Sequence, residues 1–147
     1  MIDKIIFLFV TLFGIGKIKK IPGSFASLAT TIFLFFLLHI LKISPNFILA
    51  FVIVVFFLAL YAVNIFIKNL DNKDPKEVVI DEFIGQSIPI CLYEIAHEGT
   101  KETSQVLTSY FIMFILFRIF DIVKPYPVSY YDKNFKNSFG VIMDDVA

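Results

Sequence analysis

Two stretches of the chain, Ile21 to Leu41 and Ile43 to Ile67, contain no Asp, Glu, Lys or Arg. Each reaches the length at which an α-helix crosses a bilayer, about 20 residues. Within the second, Phe47 to Ile67 is apolar on every helical face except at Asn64, a pattern no amphipathic surface helix would carry. In a chain of 147 residues that is 58% hydrophobic and 18% charged, the remaining polar side chains are too few to make a wettable surface. An all-α, multi-pass transmembrane helical bundle is therefore expected, as a single membrane-embedded domain over residues 1–147. The composition also excludes disorder, which is poor in apolar and aromatic residues. With 13 basic and 13 acidic residues there is no basic field to attract nucleic acid. The lone Cys91 cannot form an internal disulfide.

Further apolar runs complete the bundle. Thr103 to Phe117 is uncharged and continues through Arg118 to Val123, a span with a polar end. Phe83 to Tyr93 is too short alone. Asp74-Pro75-Lys76-Glu77 before it, however, reads as a helix start, with a carboxylate at the N-cap, Pro at the first position and Glu at the third. A helix from Pro75 to Ala96 would be roughly 33 Å long at about 1.5 Å per residue, with Pro89 expected to kink it. The run Ile5 to Phe13 is shorter than a span and lacks a small-residue cleavage site, so it does not read as a signal peptide.

Ser24 to Leu41, Phe47 to Ile67, Pro75 to Ala96 and Gln105 to Val123 are expected to cross in turn. That threading puts Lys4, Lys17, Lys19, Lys20, Lys68, Lys73, Lys76, Arg118, Lys124, Lys133 and Lys136 on one side, and only Lys42 and Lys101 on the other. The basic-rich side is expected to be cytoplasmic. Asp71, Asp74, Asp81, Glu82, Asp121, Asp132, Asp144 and Asp145 gather at the same face.

Several of these acids are out of place. Glu77, Asp81 and Glu82 crowd one region of a helix, where like charges repel by a few tenths of a kcal/mol per pair. Asp121 lies at the C-terminal end of a helix closed by Pro125, where the macrodipole disfavours an anion. Carboxylates at a membrane boundary cost several kcal/mol unless paired or cation-bound, so their default reading is functional. The plainer reading pairs Arg118 with Asp121 at spacing three and has Asp144 and Asp145 cap a terminal helix. Asp74 and Glu77 read as capping residues.

An acidic cluster with no His or Cys nearby is hard-cation chemistry, suited to Mg²⁺. His39 and His97 read as helix-end or interfacial residues, not zinc ligands. Lys124 and Arg118 sit where a phosphate bridged to a divalent ion would need cations. Gly14-Ile15-Gly16-Lys17 followed by Pro22-Gly23-Ser24 could present backbone N–H groups to an anion, although Gly and Pro also simply mark turns. The loop lacks P-loop spacing. Cys91 reads as a packed thiol, Asp121 has no Asp two positions on, and no Ser has both a His and a carboxylate close in sequence.

Four segments carry a resemblance: Pro22-Gly23-Ser24 with Ser27; Asp74-Pro75-Lys76-Glu77-Val78-Val79-Ile80-Asp81-Glu82-Phe83-Ile84-Gly85-Gln86; Phe117-Arg118-Ile119-Phe120-Asp121-Ile122-Val123-Lys124-Pro125-Tyr126-Pro127; and Gly140 to Asp145. In this order they resemble the signature blocks of the bacterial phosphatidylglycerophosphatase A family. Ile21, Ser24 and Ala26 depart from the Ala, Thr and Gly usual in the first block, and Met143 stands one position later than usual. The resemblance also implies a further apolar helix beyond Ala147.

It implies a Mg²⁺-dependent phosphatase of the bacterial cytoplasmic (inner) membrane that takes a phospholipid substrate, phosphatidylglycerophosphate, and yields phosphatidylglycerol at the cytoplasmic face. Asp81, Glu82, Asp121, Asp144 and Asp145 would supply the metal ligands and, from among them, a general base. Lys124 and Arg118 would offset charge on the phosphoryl group, with Lys17 and Ser24 as further substrate contacts. Two rivals remain: a non-catalytic membrane subunit or channel component with a carboxylate cation site, and a phosphoalcohol transferase. The latter would need an Asp-rich helix with Gly and Arg, whereas Arg118 is the only Arg. Oligomeric state is not legible in the sequence.

Overall fold

The uncharged stretches form long helices, each started by a proline whose missing N–H costs nothing at a helix N-terminus. Helix α2 spans Pro22–Phe35 and runs into a π-helical segment, Phe36–Ile40, while α3 spans Pro45–Ile67. The computed structural model describes residues 2–68, 75–97, 99, 102–126, 128–130 and 137–146. Among these the other helices are α1 (Ile2–Val10), α4 (Ile80–Ala96), α5 (Thr103–Val123) and α6 (Ser138–Val146), with no strand. Among the described residues three helical segments, those built on α2, α3 and α5, are long and apolar enough to cross a membrane.

The radial arrangement inverts that of a soluble bundle. On α3 the small residues Val52, Ala59, Ala62 and Val63 face inward, while Phe47, Phe51, Phe57 and Tyr61 face out. On α5, Phe111, Ile119 and Ile122 are likewise exposed. Lipid solvates large apolar side chains, so helices in a membrane gain most by packing through small ones.

Helix α4 occupies the centre, against α2, α3, α5 and α6. Its Ile80, Ile84, Ile90 and Cys91 join the core with Leu34, Val55, Val106 and Ile142, so Cys91 is a packed thiol. It starts at Ile80, not near Pro75 as the capping pattern predicts. Pro75 to Val78 instead form a turn (Val78 N–H to Pro75 O, 3.0 Å), and the Val79 N–H donates to Val10 O at 2.9 Å, pinning the chain to the end of α1. Two buried β-branched residues, Val78 and Val79, favour that extended entry. The helix is 17 residues, about 25 Å, and it continues through Pro89. Asp71, Lys73, Asp74, Lys101, Asp132, Lys133 and Lys136, which the sequence reading used, lie outside the described residues.

Despite its length α4 runs from one end of the bundle to the other. Its first turn meets Gly23 at the start of α2. At the far end Glu94 accepts from Tyr110 (3.0 Å) and lies 3.3 Å from His39 Nε2. His39 sits in the π-helical segment, a local rewinding that turns its side chain toward α4 and α5. It is a helix-end residue, as the sequence suggests. Helices α2 and α4 thus run parallel, with α5 antiparallel to both.

Candidate active site

The late start of α4 moves Asp81 and Glu82 from two turns inside the helix to its first turn. There the positive end of the macrodipole favours anions, which gives the adjacent acids a structural reason the sequence reading lacked. Asp81 also accepts from the Glu82 N–H at 3.1 Å. The dipole does not account for their enclosure, however: Asp81 is buried and Glu82 half-buried.

Two glycines allow the approach. A Cβ at Gly23 would overlap the Glu82 carboxylate, and one at Gly85 would overlap the Asp145 main chain and the Phe117 ring. Through these gaps α2 and α6 close on α4, and carboxylate oxygens of Asp81, Glu82 and Asp145 come within 4.8 Å of one another.

Helix α5 supplies the next layer. Arg118 pairs with Asp121 at 2.7 Å, the plain i,i+3 pairing, and also donates to Ser27 Oγ on α2 at 3.4 Å. Lys124 ends α5 in a left-handed conformation, φ 46°, and its ammonium meets Asp144 Oδ2 at 2.7 Å. Asp144 and Asp145 occupy the last turn of α6, so they do not cap its start. They stand where the macrodipole disfavours them.

Among the described residues five carboxylates therefore face two cations, Arg118 and Lys124. Desolvation, and then the nearby charges of Glu82, Asp121 and Asp144, push the Asp145 carboxyl well above the usual carboxylate range, as does a hydrogen bond shared with Asp121. Glu82 Oε2 is buried without a hydrogen-bond partner among the described residues. Excess charge and an orphaned carboxylate oxygen both fit a bound cation. The all-oxygen donor set suits Mg²⁺, whose ligands at about 2.0–2.1 Å stand at most roughly 4 Å apart, close to the spacing seen.

Beside this cluster lies a cavity of about 270 Å³. Asp121, Asp144 and Asp145 line its polar side, and Phe117, Phe120, Pro125, Tyr126 and Val128 its apolar side. Phe120 and Tyr126 are exposed on the outer surface of the bundle.

The structure thus brings together seven of the residues singled out from sequence: Asp81, Glu82, Arg118, Asp121, Lys124, Asp144 and Asp145. Lys17 is exposed, with its ammonium 4.6 Å from the Phe7 ring centroid. Gly16 of the same loop packs against the Glu77 main chain, so that glycine serves a close crossing of two chain segments. Ser24 lies half-buried in the first turn of α2, next to Gly23. Sequence reasoning assigned no role to Ser27, Gly85 or Gln86. The available signal was spacing: Ser27 follows Gly23, and Gln86 follows Glu82, by one helical turn.

No solved structure matches the chain. It is 34% identical to phosphatidylglycerophosphatase A of Haemophilus influenzae over 91% of its length and 76% of that protein. Against phosphatidylglycerophosphatase A of Escherichia coli it is 27% identical, covering 92% and 72%. A Bacteroides thetaiotaomicron protein provisionally named phosphatidylinositol-3-phosphatase is 34% identical, covering 91% and 80%. The sequence profile of phosphatidylglycerophosphatase A matches residues 8–147, and the chain belongs to that family of membrane phosphatases.

Proposed function

We propose that the protein hydrolyses the terminal phosphomonoester of phosphatidylglycerophosphate, giving phosphatidylglycerol for phospholipid biosynthesis at the cytoplasmic face of a bacterial inner membrane. The observation that carries this reading is the juxtaposition of five carboxylates and two cations with an apolar-walled cavity on the lipid-facing surface. A phosphate head group could reach the charged cluster while its acyl chains stay in hydrocarbon. The skew of basic residues supports a cytoplasmic site.

Asp81, Glu82 and Asp145 would hold Mg²⁺, with Asp121 and Asp144 close enough to complete its surroundings. A bound Mg²⁺ would offset the phosphoryl charge and make an attacking water more acidic. Arg118 and Lys124, each held by a carboxylate, would orient the phosphoryl oxygens and stabilise charge as it develops. One carboxylate of the cluster would take the proton from water as its oxygen bonds to phosphorus. The bond from phosphorus to the glycerol oxygen would then break, and that oxygen would take the proton back from the same carboxyl group and leave as the neutral alcohol.

The direct test is phosphate release from phosphatidylglycerophosphate by purified protein in detergent, with Mg²⁺ or with EDTA. Asp81→Asn and Asp121→Asn should each lower the rate by at least about 100-fold. Wild-type rates in both variants at saturating Mg²⁺ would remove the assignment. The Bacteroides relative's provisional name makes a phosphoinositide the substrate to run in parallel, and faster release from it would move the head-group assignment while leaving the chemistry in place.

A further inference from the structure

We propose that Gln86 binds the phosphoryl group of the substrate, its side-chain amide donating to a phosphoryl oxygen beside Arg118; this rests on the lipid phosphatase reading above. Gln86 is fully buried, and neither its Nε2 nor its Oε1 has a hydrogen-bond partner among the described residues. The other buried polar side chains each find one. Thr11, Ser27, Thr30, Thr31 and Ser87 donate to the carbonyl one turn back, and Asp81 accepts from an N–H. A buried primary amide with both ends unmet destabilises a fold, so its presence calls for a ligand that meets it.

Its position says which ligand. Helices α2 and α4 run parallel from the same end, where Glu82 lies against Gly23. One turn further, about 6 Å along each axis, Gln86 is level with Ser27. Arg118 reaches that level through its contact with Ser27 Oγ at 3.4 Å, and Arg118 Nε is buried with no hydrogen-bond partner among the described residues. Gln86 Nε2 and Arg118 Nε are thus two unmet donors within about one helical turn of Glu82, whose Oε2 is also unmet among the described residues. A phosphomonoester offers several oxygens that accept only, which suits both donors at once. Gln86 Oε1 remains to accept from a water entering with the substrate.

The test compares Gln86→Leu and Gln86→Glu with wild type, as full chains in detergent with saturating Mg²⁺. Two readouts are taken: the rise in unfolding temperature caused by inorganic phosphate, and KM and kcat for phosphatidylglycerophosphate. Gln86→Leu removes both unmet polar atoms, so its ligand-free unfolding temperature should equal or exceed that of wild type. It should nevertheless lose the phosphate-induced rise, and KM should increase by at least about tenfold. Gln86→Glu keeps the shape but puts a carboxylate where a donor stood, and should lose both as well. If both variants keep the phosphate-induced rise and a KM within about twofold of wild type, the amide serves only an internal water and the proposal is overturned. Absence of phosphate release from the lipid by wild type would instead sink the substrate assignment, and the phosphate-induced rise would still decide the role of Gln86.

Discussion

Lys124 Nζ and Asp144 Oδ2 meet at 2.7 Å, joining the residue that ends α5 to the last turn of α6. Lys124 performs two separable tasks: its charge offsets an acid of the cluster, and its left-handed backbone, φ 46°, turns the chain toward Pro125 and Tyr126 on the cavity wall. A left-handed L-residue costs about 1–2 kcal/mol that glycine does not pay. Lys124→Ala loses the ion pair and keeps the strain, whereas Lys124→Gly loses the pair and relieves it. The Gly variant should therefore be more stable than the Ala variant by about 1 kcal/mol in detergent unfolding. Both should lose most phosphate release. Equal unfolding free energies would show that the turn is not strained.

Gly23 and Gly85 should fail differently when replaced by Ala. The atom that a new Cβ meets at Gly23 is the end of the flexible Glu82 side chain, whereas at Gly85 it is the Asp145 main chain and the Phe117 ring. Glu82 can swing aside, so Gly23→Ala should fold with stability within about 1 kcal/mol of wild type. It should lose activity because one acid has left the cluster. Gly85→Ala must push α6 or Phe117 away and should cost about 1–3 kcal/mol as well as activity. Denaturant titration alongside phosphate release separates the two, and a Gly23→Ala variant with full activity would contradict the close approach.

The spans were legible because a bilayer imposes a length and bars charge, and both are countable along a chain. Ile21 to Leu41 and Ile43 to Ile67 need no partner to be read. The start of α4 was not legible, since Asp74-Pro75-Lys76-Glu77 carries local capping chemistry while the Val79 N–H to Val10 O bond joins segments far apart along the chain. The acids were visible as misplaced charge, and Arg118 and Lys124 as the cations a phosphate beside them would need. What sequence could not give is which acids converge. Asp81, Glu82 and Asp145 meet because Gly23 and Gly85 leave room, and a glycine's spatial neighbour is not written beside it. Gln86 was passed over for the same reason, because an amide on an apolar helix is unremarkable until its lack of partners is seen.

The acid cluster should make stability depend on pH with a definite sign. Desolvation, followed by the charges of Glu82, Asp121 and Asp144, raises the Asp145 carboxyl above its ordinary value. With divalent ions removed, the folded chain therefore keeps a proton there that the unfolded chain releases above about pH 4. The folded state binds more protons, so this contribution is fully present at low pH and is lost as pH rises through the raised value. In EDTA the unfolding temperature should fall as pH is raised from about 4 toward neutrality, and Asp145→Asn should flatten the slope. A divalent cation replaces the proton, so stabilisation by Mg²⁺ should grow over the same range. An unfolding temperature that rises with pH in EDTA, with the same slope in Asp145→Asn, would contradict the burial of this acid among its neighbours.

If the proposed function holds, the apolar wall of the cavity beside Asp121, Asp144 and Asp145 takes the lipid part of the substrate. Phe120 lines that wall and is 53% exposed at the outer surface, so Phe120→Ala should leave the fold nearly untouched. Full burial of a Phe side chain stabilises by about 1.5–3 kcal/mol, and with half of it available to an acyl chain the loss is roughly 1 kcal/mol, or about fivefold in KM. The increase should appear with long-chain phosphatidylglycerophosphate and vanish with a water-soluble phosphomonoester such as glycerol 3-phosphate, at unchanged kcat. The distinction matters because charged-site defects such as Asp121→Asn should slow both substrates alike. Should Phe120→Ala lower kcat for the soluble phosphomonoester as well, the ring would be supporting the carboxylates, and the lipid would have to enter elsewhere.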